Sequence, residues 1–283
     1  MASIAYLNGE YLPLDEARVS VLDRGFLFAD GIYEVSAVLD GHLVDNASHL
    51  SRFERSLGEI SLPLPATMSR IEEIEKELIA RNAVGEGVVY MQVTRGVAPR
   101  DFAFPKNVPP TLLMFTQSKT IVDAPAAQKG VAVKTLADIR WARRDIKSIA
   151  LLAQVLAKQA AVEAGCQEAW MVEDGFVTEG GSSSTFIVTK DNVLVTRPNS
   201  QALLPGCTRK AILALAAETG LRLEERAFTV AEALAAAEAF FTSASSFVMP
   251  VATIDGQVIG AGAPGPMTRR LREIYIDFAR KSE

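Results

Sequence analysis

The sequence predicts an α+β fold of two domains, and three observations support this prediction. The chain has 283 residues, 49% of them hydrophobic, which is enough for two separate cores. Its first residues, about 120 in number, combine hairpin turns with helical periodicity. A polar, alanine-rich stretch follows at residues 121–130. We therefore expect a small N-terminal α+β domain at residues 1–120, a linker at 121–130 and a larger C-terminal domain at 131–283.

Hairpins and helices alternate in the predicted N-terminal domain. Asn8-Gly9 and Asp40-Gly41, dipeptides that form tight hairpin turns, are flanked by apolar residues. Apolar residues then recur at helical spacing in two segments, and two further segments are continuous apolar runs typical of buried strands. The predicted helices lie at residues 50–60 and 71–79, and the predicted strands at 88–93 and 111–115. These elements indicate a sheet covered by helices.

The predicted C-terminal domain begins with a strand at residues 131–136. A helix follows Leu151 and ends before Gly165, because glycine is common just beyond the end of a helix. A hairpin through Asp174-Gly175 places Glu179 at a strand end beside a hydroxyl-rich turn. Further helices are predicted after Gly206, after a capping box formed by Thr229 and Glu232, and over residues 267–279.

Charge and composition exclude several classes of function. A net charge of −5 and an isoelectric point near 5.3 give no general attraction to nucleic acid or to anionic membranes. No apolar run approaches the length of about 18 residues that spans a bilayer, and no secretory leader is recognisable, so we expect a cytoplasmic protein. Cys166, Cys207, His42 and His49 lack metal-ligand spacing, so no metal site is expected.

Lys147 and Glu179 form the most informative pair in the sequence. Lys147 stands between Ile146 and Ser148, and Glu179 opens the run Glu-Gly-Gly-Ser-Ser-Ser. Pyridoxal phosphate needs an amine for its aldehyde, a carboxylate for its ring nitrogen, and N–H and hydroxyl groups for its phosphate. Taken alone, Lys147 would be a solvated side chain and Glu179 a turn acid. Together with the hydroxyl-rich turn they predict a Schiff-base site.

Four motifs, in order along the chain, resemble those of the fold-type IV pyridoxal-phosphate aminotransferases, and most closely the D-amino acid aminotransferases. They lie at residues 6–9, 31–34, 94–100 and 178–180. The resemblance implies a two-domain fold-type IV enzyme that holds pyridoxal 5'-phosphate in the cleft between its domains and forms a homodimer. It also implies amino-group transfer between D-amino acids, such as D-alanine and D-glutamate, and 2-oxo acids, such as pyruvate and 2-oxoglutarate.

The resemblance assigns roles to individual residues. Lys147 would bind the cofactor covalently and then carry a proton, Glu179 would face the ring nitrogen, and Tyr33 would contact the cofactor or the substrate. Arg52 takes the arginine position of the phosphate-binding helix, where a guanidinium offers paired donors, and Arg55 is the surface alternative on the same helix. The remaining cofactor-binding positions are Ser182, Ser183, Cys207, Thr208, Ala244 and Ser245. Ala244 stands where relatives often have threonine, so it offers only its backbone N–H.

Substrate specificity is expected to depend on the segment Arg100-Asp101-Phe102. Relatives carry an Arg-x-His pair here that reaches from the partner subunit to the substrate carboxylate. Arg100 keeps the charged donor of that pair, and Phe102 replaces the histidine. The apolar ring leaves open an (R)-selective amine transaminase, in which no substrate carboxylate is required.

Other activities remain as alternatives. A branched-chain L-amino acid aminotransferase or an aminodeoxychorismate lyase would share Lys147 and Glu179, but the segment at residues 94–100 argues against both. Lys147 and Ser148 could be a serine–lysine hydrolase pair, although adjacent residues rarely face one substrate atom. A non-catalytic binding module is not supported, since the chain has neither a dinucleotide fingerprint nor a basic patch.

Overall fold

A computed structural model describes residues 3–282, without the side chains of residues 217 and 218. Its contacts divide the described chain into two compact units. The first contains the chain up to Thr120, the short segment Ile146–Ala150 and the chain from Ala279 onward. The second contains Ile121–Asp145 and Leu151–Phe278. The domain limits predicted from the sequence remain a prediction.

A six-stranded antiparallel sheet forms the centre of the first unit, in the order β2-β1-β6-β5-β3-β4. Its strands are β1 (Ile4–Leu7), β2 (Glu10–Pro13), β3 (Gly31–Leu39), β4 (His42–Val44), β5 (Gly87–Thr94) and β6 (Thr111–Ser118). The accompanying helices are α1 (Arg24–Phe28), α2 (Asn46–Glu59) and α3 (Met68–Arg81). The mixture of sheet and helices confirms the α+β prediction.

Both predicted N-terminal hairpins are present. Asn8 and Gly9 connect β1 to β2 with φ angles of 50° and 106°, and Asp40 and Gly41 connect β3 to β4 with φ angles of 52° and 82°. Two successive residues with positive φ form the turn whose twist matches that of the flanking strands, and Asn, Asp and Gly adopt it at the lowest cost.

α2 and α3 pack their apolar faces against the sheet. Phe53, Leu57, Ile71 and Leu78 are at most 2% exposed and belong to one hydrophobic core with Ile32 of β3. Burying each such side chain contributes roughly 1.5–3 kcal/mol. The buried face of α2 also carries polar residues one helical turn apart, namely His49, Arg52 and Ser56. The helical period therefore brings apolar packing and polar chemistry to the same side of α2.

A nine-stranded mixed sheet forms the centre of the second unit. Its main path is β12-β11-β10-β13-β14-β7-β8-β9, with β15 paired to β14, and the pairs β14–β7, β7–β8 and β11–β12 are parallel. Its strands are β7 (Val131–Ala137), β8 (Glu168–Glu173), β9 (Phe176–Gly180), β10 (Ser184–Val188), β11 (Val193–Thr196), β12 (Arg222–Glu225), β13 (Glu238–Ser243), β14 (Phe247–Ile254) and β15 (Gln257–Val258). The helices that begin in this unit are α4 (Pro125–Lys129), α5 (Leu152–Glu163), α6 (Cys207–Leu215), a 3-10 turn (Ala216–Thr219), α7 (Val230–Ala235) and α8 (Pro266–Lys281).

Local signals determine several boundaries in this unit. Gly165, with a φ of 73°, follows the end of α5, as predicted. The capping box at the start of α7 is also confirmed, because Thr229 and Glu232 each accept a hydrogen bond from the other's backbone N–H. The Glu238 carboxylate accepts hydrogen bonds from the first N–H groups of α8. No helix formed by the described residues has the length and apolar character of a membrane span.

Candidate functional site

Lys147 is held against β3 in the first unit by backbone hydrogen bonds. The Tyr33 N–H donates to the Lys147 carbonyl at 2.9 Å, and Ile32 and Ser148 form a β-bridge. The Ile149 N–H donates to the Gly31 carbonyl at 3.1 Å. The segment around Lys147 thus extends the sheet edge at the start of β3, and the position of the lysine is determined by the strand rather than by a loose loop.

The Lys147 ammonium lies over an aromatic ring. Its Nζ is 4.0 Å from the centre of the Tyr33 ring, a cation–π distance. Tyr33 stacks on Tyr90 at 5.7 Å, and Tyr90 stacks on Phe115 at 4.8 Å. Burial, reinforced by the neighbouring Tyr33, raises the pKa of Tyr90 to about 12. The stack fixes the Tyr33 ring, and the Lys147 amine lies beside that ring.

Arg52 is buried and forms a bidentate ion pair. Its Nε and Nη2 donate to the two carboxylate oxygens of Glu34 at 2.7 and 2.8 Å, and His49 Nδ1 lies 3.0 Å from the same carboxylate. Burial alone would raise the pKa of Glu34, but Arg52 and His49 outweigh it and hold that pKa well below its usual range. Arg55, in contrast, is exposed and pairs with Glu59. The buried Glu34 carboxylate thus fixes the orientation of the Arg52 guanidinium.

The sequence did not identify Glu34, which pairs with the candidate site residue Arg52, or His49, which contacts Glu34. Glu34 follows Tyr33 in a motif quoted for its tyrosine, and His49 lies three residues before Arg52. Residues three apart on a helix share a face, so the spacing of His49 and Arg52 could have predicted that both side chains lie on the same face of α2.

Arg100 and Phe102 lie in an irregular segment between β5 and β6. The Phe102 side chain is 80% exposed, and it packs at 5.4 Å against the ring of Phe28. The Arg100 guanidinium lies over both rings, 5.3 Å from Phe28 and 5.7 Å from Phe102. These contacts hold the two predicted substrate-binding residues side by side on the surface of the first unit.

Glu179 lies in the second unit on β9 and is 4% exposed. Its carboxylate accepts hydrogen bonds from Arg140 Nη1 and, at 3.2 Å to each oxygen, from the Leu204 N–H. Arg140 also pairs with the buried carboxylate of Asp138. Burial raises the pKa of Glu179, and Arg140 offsets this only in part because it is shared with Asp138. Arg140, Asp138 and the Leu204 N–H were not predicted from the sequence.

The turn after Glu179 is tightly packed. Ser182 is exposed, whereas Ser183 is buried and donates to Glu168 at 3.4 Å. A Cβ at Gly180 would lie only 2.0 Å from the Ser183 hydroxyl, so this position requires glycine. Burial raises the pKa of Glu168, which favours its protonated form. The contact with Glu168 orients the Ser183 hydroxyl.

Four predicted positions of the second unit lie in or directly after two elements that contact each other, since α6 packs on β13. Cys207 and Thr208 are buried in the first turn of α6, which has no side-chain N-cap. Ala244 directly follows β13, and the Thr242 hydroxyl near its end is buried and lacks a hydrogen-bond partner among the described residues. Ser245, one residue further, interacts with Ser243 at 3.4 Å. Uncapped N–H groups and an unpaired hydroxyl suit an anion.

Comparison with characterised proteins is consistent with this geometry. The chain matches the profile of amino-transferase class IV over residues 31–254. It is 41% identical to the D-alanine aminotransferase of Bacillus licheniformis over 267 residues, covering 94% of this chain and 93% of that protein. It is 40% identical to the D-alanine aminotransferase of Staphylococcus haemolyticus over 276 residues, covering 96% of each chain.

Solved structures show the same fold. The branched-chain amino acid aminotransferase of T.th. with pyridoxamine 5'-phosphate has a TM-score of 0.91 at 26% identity, with 99% of this chain and 95% of that chain covered. The branched-chain amino acid aminotransferase of Escherichia coli has a TM-score of 0.91 at 23% identity, with 100% and 97% covered, which bears on the fold alone. The profile match and the two relatives at 40% identity or more show that the chain belongs to the amino-transferase class IV family.

Proposed function

We propose that this protein is a pyridoxal-phosphate-dependent aminotransferase that moves amino groups between D-amino acids and 2-oxo acids. D-Alanine and D-glutamate are the expected donors, and pyruvate and 2-oxoglutarate the expected acceptors. The relatives with 40% and 41% identity over nearly the whole chain are D-alanine aminotransferases. The structural observation that carries the proposal is the placement of Lys147, with its backbone bonded to β3 and its amine 4.0 Å from the Tyr33 ring.

The residues of the second unit fit the cofactor. The buried Glu179 carboxylate shares Arg140 with Asp138, which Arg144 also contacts, so a protonated ring nitrogen beside Glu179 would add a further positive partner. The uncapped start of α6 and the unpaired Thr242 hydroxyl fit a phosphate group. Bound pyridoxal phosphate supplies an aldehyde that bonds to amines and a ring that accepts electrons.

Each residue has a distinct task. The free amine of Lys147 would move a proton between the substrate α-carbon and a carbon of the cofactor. Glu179 would keep the proton on the ring nitrogen, and Tyr33 limits the directions open to the Lys147 amine. Arg52 and the backbone N–H groups of Cys207 and Thr208 are each proposed as phosphate contacts. Ser182, Ser183, Ala244 and Ser245 remain proposed cofactor contacts.

Arg100 is proposed to bind the substrate carboxylate in the active site of a partner subunit. A guanidinium provides a forked donor set that matches a carboxylate. α5 supports the homodimer, because Leu152, Val155 and Leu156 form an apolar stripe that is more than half exposed. A second copy of the chain would cover this stripe. The predicted cytoplasmic location remains a prediction.

The cofactor role of Lys147 is tested by absorbance and borohydride treatment. The wild type should show an absorbance band of the lysine-bound cofactor that borohydride bleaches, leaving the cofactor covalently attached. Lys147→Ala should still bind the cofactor but lose the covalent attachment and nearly all turnover. Mass spectrometry after reduction measures the attachment. Wild-type rates in Lys147→Ala would refute its role as proton carrier.

The donor specificity is tested with a panel of D-amino acids, L-amino acids and (R)-amines against pyruvate and 2-oxoglutarate. D-Alanine should be the better donor than L-alanine. Phe102→His, which restores the pair found in relatives, should lower KM for D-alanine and slow (R)-1-phenylethylamine. If branched-chain L-amino acids or (R)-amines outrun D-alanine in the wild type, the D-amino acid assignment is wrong and one of the alternative activities replaces it.

A further inference from the structure

We infer that Arg24 is the positioning residue of the substrate loop, here defined as residues 100–104. Arg24 would hold the loop backbone in the conformation in which Arg100 and Phe102 face the substrate. The inference rests on the proposed function, in which Arg100 binds the substrate carboxylate. Arg24 was part neither of the chemistry nor of the cofactor site that the sequence predicted.

Arg24 contacts the loop through its guanidinium. Its Nη1 donates to the Asp101 carbonyl at 2.5 Å and to the Ala103 carbonyl at 3.4 Å, and its Nη2 donates to the Phe102 carbonyl at 3.4 Å. Arg24 is 3% exposed although the loop itself lies at the surface. The buried Arg24 guanidinium therefore donates hydrogen bonds to the carbonyls of the three residues that follow Arg100.

The guanidinium is itself anchored from the opposite side. Arg24 Nε donates to Asp30 at 2.7 Å, and Arg95 Nε donates to the same carboxylate at 2.9 Å. Arg95 continues to the carbonyls of Ile60 and Ser61 at 2.7 and 3.0 Å. This series of contacts connects the loop to the end of α2 and to the start of β3. The largely buried Asp30 carboxylate, shared by two arginines, keeps both side chains in place.

The helix that carries Arg24 is also fixed. Asp23 caps α1 through the Gly25 N–H at 2.8 Å and accepts hydrogen bonds from the hydroxyls of Thr94 and Thr111. A Cβ at Gly25 would lie 2.3 Å from the Thr94 side chain, so glycine is required for this close approach. α1 therefore cannot shift relative to β5 without breaking these contacts.

The same helix supports the loop side chains. The Arg24 guanidinium lies 4.8 Å from the Phe28 ring, and that ring contacts Phe102 and lies beneath Arg100. Both residues lie in α1: Arg24 holds the backbone of the loop, and Phe28 contacts its side chains. Residues 99–110 form neither helix nor strand, so contacts of this kind replace a hydrogen-bond ladder.

Arg24→Lys tests the inference, because lysine keeps the charge but loses the planar fork that reaches several carbonyls. kcat/KM for D-alanine should fall about 10- to 100-fold, the cost expected when a binding group is misplaced by an ångström. Single-turnover half-reactions with D-alaninamide, which lacks the carboxylate, should change much less. Amide hydrogen exchange in the holoenzyme should rise in residues 101–104. Asp30→Asn should give a smaller shift in the same direction.

Controls separate positioning from folding. Arg272 is also a buried arginine that donates to several carbonyls, in the second unit, so Arg272→Lys should lower thermal stability without changing the ratio between D-alanine and D-alaninamide. In an Arg100→Ala background, Arg24→Lys should cause no additional loss with D-alanine.

Two outcomes overturn the inference: an equal loss with both donors, or unchanged amide exchange in the loop. Arg100→Ala without any loss with D-alanine would instead refute the proposed role of Arg100, and the inference with it. A loss in Arg100→Ala combined with an unaffected Arg24→Lys would refute the inference alone.

Discussion

Buried charges in this protein are held in pairs whose balance differs from site to site. Glu34 receives both a bidentate arginine and a histidine, so it remains a carboxylate despite complete burial. Glu179 shares Arg140 with Asp138, and the effect of burial is the larger one, so the pKa of Glu179 is raised. Ionised groups away from water persist only when such partners compensate the loss of hydration. The difference suits their proposed roles. Glu34 orients the Arg52 guanidinium, and Glu179 would pair with a protonated ring nitrogen of the cofactor.

Glu179→Gln tests this difference directly. The amide can still accept a hydrogen bond, but it cannot stabilise a ring proton, so the half-reaction with D-alanine should slow. Hydrogen bonds to charged groups contribute about 1.5–3 kcal/mol, which corresponds to a rate loss of about 10- to 100-fold. Stopped-flow absorbance measures this rate, and borohydride reduction should show that the link to Lys147 persists.

The matched control is Glu224→Gln, which breaks ion pairs of the second unit with Arg222 and Arg226, outside the group of Asp138, Arg140 and Glu179. It should leave the half-reaction rate near that of the wild type. Equal rates for Glu179→Gln and the wild type would remove the proposed role of Glu179.

Glu75 makes a pH-dependent prediction, because burial raises its pKa from 4.5 to about 7. Asn46 Nδ2 donates to it at 2.8 Å, and Asn46 and the nearby His49 offset the effect of burial only in part. The folded state therefore binds a proton more tightly than the unfolded state, and stability falls as the pH rises from about 5 to above 7. One pKa unit corresponds to about 1.4 kcal/mol.

Glu75→Gln should remove this pH dependence. At pH 8 the variant should be more stable than the wild type by about 2 kcal/mol, after a loss of about 1 kcal/mol for an imperfect hydrogen bond. At pH 5 the two should be nearly equal. Denaturant unfolding at several pH values measures the difference. Glu34→Gln is the contrasting control, since its depressed pKa predicts a loss of stability at every pH between 5 and 8. A constant difference for Glu75→Gln would contradict the prediction.

Residues with a chemical signature were predictable, and residues that act through geometry were not. Lys147 and Arg52 were identified from motifs, and the structure gives both of them defined partners. Arg140 and Asp138 lie seven and nine residues before Lys147, and only the fold of β7, β8 and β9 brings them to Glu179. Glu75 did have a local signal, since it shares the buried stripe of α3 with Ile71 and Leu78.

At the scale of secondary structure, elements determined by local sequence were predicted and those determined by pairing were not. The hairpin turns followed from Asn-Gly and Asp-Gly pairs, and Asp255-Gly256 forms another between β14 and β15 that we did not predict although it has the same signal. The five-residue helix α1 is too short for helical periodicity to reveal. Strand order, including the parallel pairing of β14 with β7, depends on contacts between residues far apart in sequence.

The capping box of α7 makes a prediction at this scale. The Thr229 hydroxyl accepts a hydrogen bond from the Glu232 N–H at 3.1 Å, and the Glu232 carboxylate accepts one from the Thr229 N–H at 2.8 Å. Thr229→Ala should cost about 1 kcal/mol, which lowers Tm by about 2–4 °C. Calorimetry measures the change, and turnover at 25 °C should be unaffected.

Thr67 offers a graded control, because it caps α3 through a longer contact of 3.3 Å at an exposed position. Thr67→Ala should lower Tm by less than Thr229→Ala. The reverse order would show that packing near Thr229, and not its cap, determines the effect.

At the scale of the whole molecule, the apolar surface is larger than a monomer requires. Val21, Phe26 and Phe102 of the first unit are at least 73% exposed. In the second unit, Leu152 and Val155 are 71% and 59% exposed on one face of α5. Large contiguous apolar patches on soluble proteins often mark contacts with other protein surfaces. A second copy of the chain would cover them and would bring Arg100 to a neighbouring active site, as the proposed function requires.

Light scattering in dilute buffer should therefore give twice the chain mass of 30.5 kDa. Leu152→Asp combined with Val155→Asp should shift the protein toward monomer, because burying unpaired carboxylates in an apolar contact is costly. Activity with D-alanine should fall with the dimer fraction, since Arg100 would lose its partner site. Val258→Asp, which changes an exposed valine on β15, should leave both mass and activity unchanged. A stable monomer with full activity would show that Arg100 acts within its own chain or not at all.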